Sequence, residues 1–156
     1  MIRACGCGCA SVCWGVGGRS VYAVRLNSGS SYASLPAETY DLFLTAAQCD
    51  GVTLWDLRSD RCIRRFTEHV GRANPVGLDF SPCGRFIATG SEDKAAYLYD
   101  VRAGRYLEKL GGHTDVVTDV QFHPLHPQLL TAAMDGKIRV FADAAKGGTR
   151  RSVVRS

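Results

Sequence analysis

The sequence contains no apolar run approaching the roughly 18 residues that a membrane-spanning helix requires, although 46% of its 156 residues are hydrophobic. A spanning helix is thereby excluded, and the composition suits one soluble domain with a sizeable core. Helical periodicity is missing as well. Short alternating runs broken by Gly, Pro, Asp and Ser clusters take its place, which points to an all-β chain. Catalytic signatures are equally scarce: no nucleophile elbow or dense metal constellation occurs, and Gly15-Val16-Gly17-Gly18 has neither the strand-helix context nor the lysine of a phosphate loop. No catalytic residue, cofactor or metal is therefore expected. The net charge of +4, mostly scattered arginine, suits a weakly acidic protein partner and argues against a nucleic-acid footprint.

Cysteine is not scarce, but its pattern excludes a disulfide framework. Cys5, Cys7, Cys9 and Cys13 crowd the start, Cys49, Cys62 and Cys83 stand singly, and the total of seven is odd. That pattern implies a reducing compartment, cytoplasmic or nuclear. Residues 1–19 read as a low-complexity, disordered Gly/Cys leader. A signal peptide would need a Leu-rich middle, and C-x-C-x-C-x3-C has no second Cys or His cluster to complete a zinc site.

What the chain does have is a period. Trp55-Asp56 is followed 44 residues later by Tyr99-Asp100, and a third aromatic, Phe141, comes 42 residues after Tyr99. VGLDFSPCGRFIATGSEDKAAYLYD and VTDVQFHPLHPQLLTAAMDGKIRVF share strand, Pro-containing turn, strand, acidic turn and strand. In the middle copy the strands are read as Pro75 to Phe80, Arg85 to Thr89, Ala95 to Val101 and Arg105 to Leu110. The first copy supplies VYAVRL, DLFLTAA, VTLWDL and RCIRRF around a long polar loop. The tail AAKGGTRRSVVRS is read as the last fourth strand, with Arg150, Arg151 and Arg155 on its exposed side. A basic tail that meets an acidic surface is the alternative. His123 and His126 in FHPLHP occupy the turn held by Ser81-Pro82 one copy earlier, so they are exposed turn residues rather than metal ligands.

Trp55-Asp56, Gly112-His113, its degenerate counterpart Glu68-His69 and the turns SEDK and MDGK make the chain from about Ser20 onward resemble the WD40 repeat family. The resemblance implies β-propeller blades: about three four-stranded antiparallel blades at 20–67, 68–111 and 112–156, an incomplete propeller. It also implies a structural hydrogen-bond network in each blade, made of a His, a Ser or Thr, an Asp and a Trp, because polar groups sealed in sheet packing must be paired. The second copy then offers His69, Thr89, Asp93 and Tyr99, and the third offers His113, Thr131, Asp135 and Phe141. The first keeps Thr45 and Trp55 but has Cys49 in the Asp position and no His, which leaves Trp55 short of partners. The same trio recurs at matched positions, so it is read as structural and not as a catalytic triad.

Further implications concern partners. Family propellers are interaction platforms, and their rim maps here to Ser20, Tyr22 and Gln48, then Asn74, Val76 and Glu92, then Val116, Thr118 and Met134. Tyr22, Val76, Val116 and Met134 would give an apolar patch suited to a protein partner. Trp55-Asp56-Leu57-Arg58 and Tyr99-Asp100-Val101-Arg102 resemble the paired W-D-x-R signature of substrate receptors for cullin-type ubiquitin ligases, where Arg58 and Arg102 would contact an adaptor. Three blades cannot close, so either the chain is a fragment or short isoform of a larger propeller, or it self-associates to complete the ring. Marginal stability is expected for the short arc alone.

Overall fold

In a computed structural model of the chain, residues 2–4, 10–12, 19–27, 41–59, 61–142 and 153–155 are described. The described residues form strands, turns and loops, arranged as three four-stranded antiparallel sheets and one two-stranded ribbon. Strands β1 (Ile2–Ala4) and β2 (Ala10–Val12) make the ribbon inside the segment read as a leader. The first blade is β3 (Val21–Leu26), β4 (Leu42–Ala47), β5 (Gly51–Asp56) and β6 (Arg61–Phe66), paired in chain order. The second is β7 (Leu78–Phe80), β8 (Phe86–Thr89), β9 (Ala96–Asp100) and β10 (Arg105–Leu110). The third is β11 (Val117–Phe122), β12 (Gln128–Ala133), β13 (Ile138–Ala142) and β14 (Val153–Arg155), the last paired with Ile138, Arg139 and Val140. Arg150 and Arg151 lie outside the described residues.

One strand is shorter than its sequence pattern suggests. β7 starts at Leu78, not Pro75, because proline brings no N–H to a ladder and the backbone at Gly77 is shared with the next blade. The Gly77 N–H donates to the Thr118 carbonyl at 2.8 Å, while its own carbonyl accepts from the Gly90 N–H at 3.0 Å. A Cβ at Gly77 would collide with Asp119, so only glycine permits this approach. The first strands of the three blades are neighbours in space, β3 beside β7 and β7 beside β11, and line the inner side of an arc.

Alternation along each strand decides what each blade face buries. Leu44, Ala46, Val52 and Leu54 of the first blade pack with Leu78, Ile87, Tyr97 and Tyr99 of the second. On the second blade's opposite face, Ala88, Ala96 and Leu110 pack with Val117, Val120 and Leu129 of the third. Phe43, Ala47 and Trp55 form a separate cluster on the first blade's other face. The far face of the third blade is only half covered, with Ile138 52% exposed, because no further described blade follows it. At the other end of the arc Val24 is 53% exposed. The architecture is thus an all-β incomplete propeller.

Candidate interaction surfaces and the networks that position them

The third blade assembles its polar group within one pocket of hydrogen bonds. His113 Nδ1 lies 3.3 Å from Asp135 Oδ2, and its Nε2 lies 2.8 Å from the Thr131 hydroxyl. A carboxylate can only accept, so Nδ1 donates to it and the ring is held by both ends. Asp135 also accepts from the backbone N–H groups of Thr114 and Lys137, at 3.0 Å each. These bonds, Thr114's foremost, hold its carboxyl well below the usual carboxylate range. Phe141, beside them, has no donor to add.

The second blade carries the same residue types with a different wiring, and the expected single network is split in two. His69 Nδ1 pairs with the Tyr99 hydroxyl at 3.1 Å, which also accepts from the His69 backbone N–H at 3.2 Å. Thr89 donates to the Gly77 and Gly90 carbonyls instead of reaching the imidazole. Asp93 turns to the Tyr97 hydroxyl at 2.6 Å and to the Lys109 ammonium. The cause is local. Tyr97 and Lys109 compete for the carboxylate, whereas the third blade has Arg139 opposite Thr131. Burial lowers the His69 pKa to about 4 from an ordinary 6.5.

In the first blade the Trp55 indole N–H donates to the Thr45 hydroxyl at 2.8 Å, so the indole has a partner despite the missing His and Asp. Cys49 adopts a left-handed backbone, φ 58°, and its N–H donates to the Gly71 carbonyl at 2.9 Å.

The rim residues divide by what already occupies them. Gln48 Nε2 donates to the Arg72 carbonyl at 2.9 Å. Glu92 Oε1 accepts from three successive backbone N–H groups, Arg72 at 2.9 Å and Ala73 and Asn74 at 2.6 Å each, and these bonds lower its pKa. Glu92 therefore clamps the loop that bears Asn74. Val76 corrects the expected apolar patch: it is only 1% exposed, packed beneath Gly71. Tyr22 is half-buried, with its hydroxyl close to Gly71. Thr118 donates to the Ala132 carbonyl, Ser20 and Gln48 are exposed, Val116 is half-buried, and Met134 is 54% exposed.

At the opposite ends of the same strands, Asp56 and Asp100 build matching turns. Asp56 accepts from the Arg58 N–H and the Ser59 hydroxyl, and Asp100 accepts from the N–H groups of Arg102 and Ala103. Backbone bonds of this kind lower both carboxyl pKa values. The side chains of Arg58 and Arg102 stay exposed, Arg58 with a 3.8 Å approach to Asp41. His123 and His126 contact each other at 4.7 Å, but His123 Nδ1 accepts from the N–H groups of Leu125 and His126 and so closes a turn. No group of three or more metal-ligating side chains exists among the described residues.

Several contributing residues escape sequence reasoning. Asp79 accepts from the Phe122 N–H at 2.8 Å and staples the second blade to the third, while burial raises its pKa. Ser91 bonds Val70 at 3.0 Å, and Arg64 reaches the turn at Gly104. The Asp79 and Arg64 contacts cross between blades and the Ser91 bond joins residues 21 apart within one, and local pattern carries no signal for either kind.

A family model described as WD domain, G-beta repeat matches residues 60–100 and 104–141. The WD repeat-containing protein 26 homolog of Drosophila melanogaster is 32% identical over 102 residues, 64% of this chain and 16% of that protein. The WD repeat domain-containing protein 83 homolog of Dictyostelium discoideum is 29% identical over 127 residues, 77% of this chain and 39% of its own length. The U5 small nuclear ribonucleoprotein 40 kDa protein of Bos taurus is 37% identical over 81 residues, 51% of this chain and 23% of that protein. The chain thus spans well under half the length of these relatives.

Proposed function

Because the chain belongs to the WD40 repeat family, we propose that it serves as a non-catalytic protein-protein interaction scaffold and presents partner-binding loops on blades held rigid by internal polar bonds. The clamp of Glu92 on three consecutive amides carries this reading: a loop tied to the neighbouring turn costs little ordering entropy when a partner docks. Ser20, Gln48, Val116 and Met134 reach solvent at the rim, with Tyr22, Asn74 and Thr118 beside them. The resulting surface is small and mixed in polarity, as suits a protein partner. Affinity capture from cells should lose specific partners in Met134→Asp while the β-sheet circular dichroism is kept; a partner set indifferent to Met134→Asp and Gln48→Ala would count against the rim.

The arc is completed either by blades of a longer propeller or by copies of the same chain. Its coverage of the relatives favours the first arrangement. Light scattering of the chain on a sizing column decides between them: a discrete dimer or trimer of β-rich protein supports closure by self-association, and a monomer sinks it. A cytoplasmic or nuclear location fits the cysteine pattern and a relative named for a small nuclear ribonucleoprotein.

A second reading rests on Arg58 and Arg102, both exposed at equivalent turns. As substrate receptor of a cullin-type ubiquitin ligase, the chain would offer these guanidinium groups to the adaptor. Co-purification of the adaptor should be lost in the double variant Arg58→Ala, Arg102→Ala; unchanged recovery would exclude it.

A further inference from the structure

The turns after β5 and β9 share more than one arginine. Asp56-Leu57-Arg58-Ser59-Asp60-Arg61 and Asp100-Val101-Arg102-Ala103-Gly104-Arg105 repeat a D-x-R-x-x-R pattern, so the second arginine of each opens the outer strand, β6 or β10. A fifth arginine lies between the two. Arg64 pairs across β6 with Leu54 and therefore points toward the second blade, where its guanidinium occupies the space a Cβ at Gly104 would fill. Gly104 also has φ +63°, so glycine is required there twice over.

The described acids beside these turns, Asp41, Asp56 and Asp100, are already engaged. Asp100 accepts two backbone N–H groups and the Arg85 guanidinium at 3.2 Å, Asp56 closes its own turn, and Asp41 faces Arg58. Among the described residues none forms an ion pair with Arg61, Arg64, Arg102 or Arg105. Edge strands often carry charge, lysine above all, to block unwanted pairing. β6 carries only positive charge, Arg61, Arg64 and Arg65, the last paired with Asp50.

We propose that this corner of the first two blades, built from Arg61, Arg64 and Arg105 around Gly104, docks an acidic peptide segment of a partner protein. Guanidinium groups in a row can each take a carboxylate in a forked bond. Leu57 in the first turn, Ile63 on β6 and Tyr106 on β10 are exposed and would bury against peptide side chains, a gain that a nucleic-acid backbone does not offer. The surface lies at the ends of the strands away from the rim, and it rests on the scaffold reading only in requiring a protein partner.

The test uses fluorescence anisotropy of a labelled octaglutamate peptide with the full chain, at low salt and again at about 0.3 M salt. Saturable binding that weakens with salt is expected, and the double variant Arg61→Gln, Arg105→Gln should bind about tenfold more weakly. Arg64→Gln should show a smaller loss, while Arg72→Gln, an exposed arginine at the rim, should leave binding unchanged. An equal loss in Arg72→Gln would reveal mere net-charge attraction and overturn the proposal. Tighter binding of an oligothymidine than of the peptide would overturn it in favour of nucleic acid. Arg58 and Arg102 stay native throughout, so failure here leaves the adaptor reading intact. Failure of the rim variants leaves this corner untouched.

Discussion

Between the first and second blades, Leu44, Val52 and Leu54 meet Ile87, Tyr97 and Tyr99, and Phe66 contacts the Tyr99 ring at 4.9 Å. Between the second and third, the matching positions are Ala88, Ala96 and Leu98 against Leu129 and Phe141. A cleft of about 620 Å³ lies beside this interface, with walls that include Leu98, Leu107, Phe122, Leu125 and Phe141. Polar wiring runs the other way. The third blade, beside the cleft, has a complete His113–Asp135–Thr131 set, whereas in the second blade His69 and Asp93 serve different tyrosines. The two repeats thus differ in kind: aromatic burial packs the first interface, and a paired polar network braces the third blade internally.

Truncation should break this contrast most sharply. Tyr99→Ala is expected to lower stability by about 3–5 kcal/mol, while Phe141→Ala, whose ring already borders open space, should cost about half as much. Urea midpoints of the two variants give the comparison, and equal losses would mean that the interfaces are packed alike.

Acid should act on the first interface through His69. The folded protein resists protonating this ring down to about pH 4, whereas the unfolded chain takes up its proton near 6.5. Stability from this group is therefore complete above pH 6.5 and declines as pH falls toward 4, by about 3 kcal/mol at most. Denaturation midpoints at several pH values for the native chain and His69→Gln should converge at low pH; parallel curves would show that His69 does not titrate this way.

His113→Ala addresses the third blade's internal network. It leaves a buried hydroxyl and carboxylate short of a partner and should cost about 2 kcal/mol, with the loss concentrated in amide exchange of β12 and β13. Uniform exchange changes across all three blades would contradict a local role. The smallest effect is a gain: Phe141→Trp brings an indole N–H toward Thr131, the arrangement already formed by Trp55 and Thr45 at 2.8 Å, and fills part of the cleft. About 1 kcal/mol of stabilisation is expected, and a lowered thermal midpoint would show that the cleft cannot accept the larger ring.

The sequence by itself determined the period, most of the blade strands and the acidic turns, though not the ribbon of β1 and β2, because side-chain alternation, Gly and Pro placement and Asp-to-amide bonds all act within a few residues. Even the shortfall at β7 has a local part, since Pro75 and Gly77 are visible in the string. Which polar atom meets which was decided only by the tertiary structure. His69 and His113 sit in similar sequence contexts, yet Tyr97 and Lys109 draw Asp93 away in one blade, whereas among the described residues no tyrosine or lysine side chain bonds Asp135 in the other. The same holds for the Glu92 clamp, the burial of Val76 and the reach of Arg64 to Gly104. Each rests on contacts between residues far apart in sequence, within a blade for the Glu92 clamp and between blades for Arg64, and those follow from how side-chain volumes pack rather than from the pattern along any one strand.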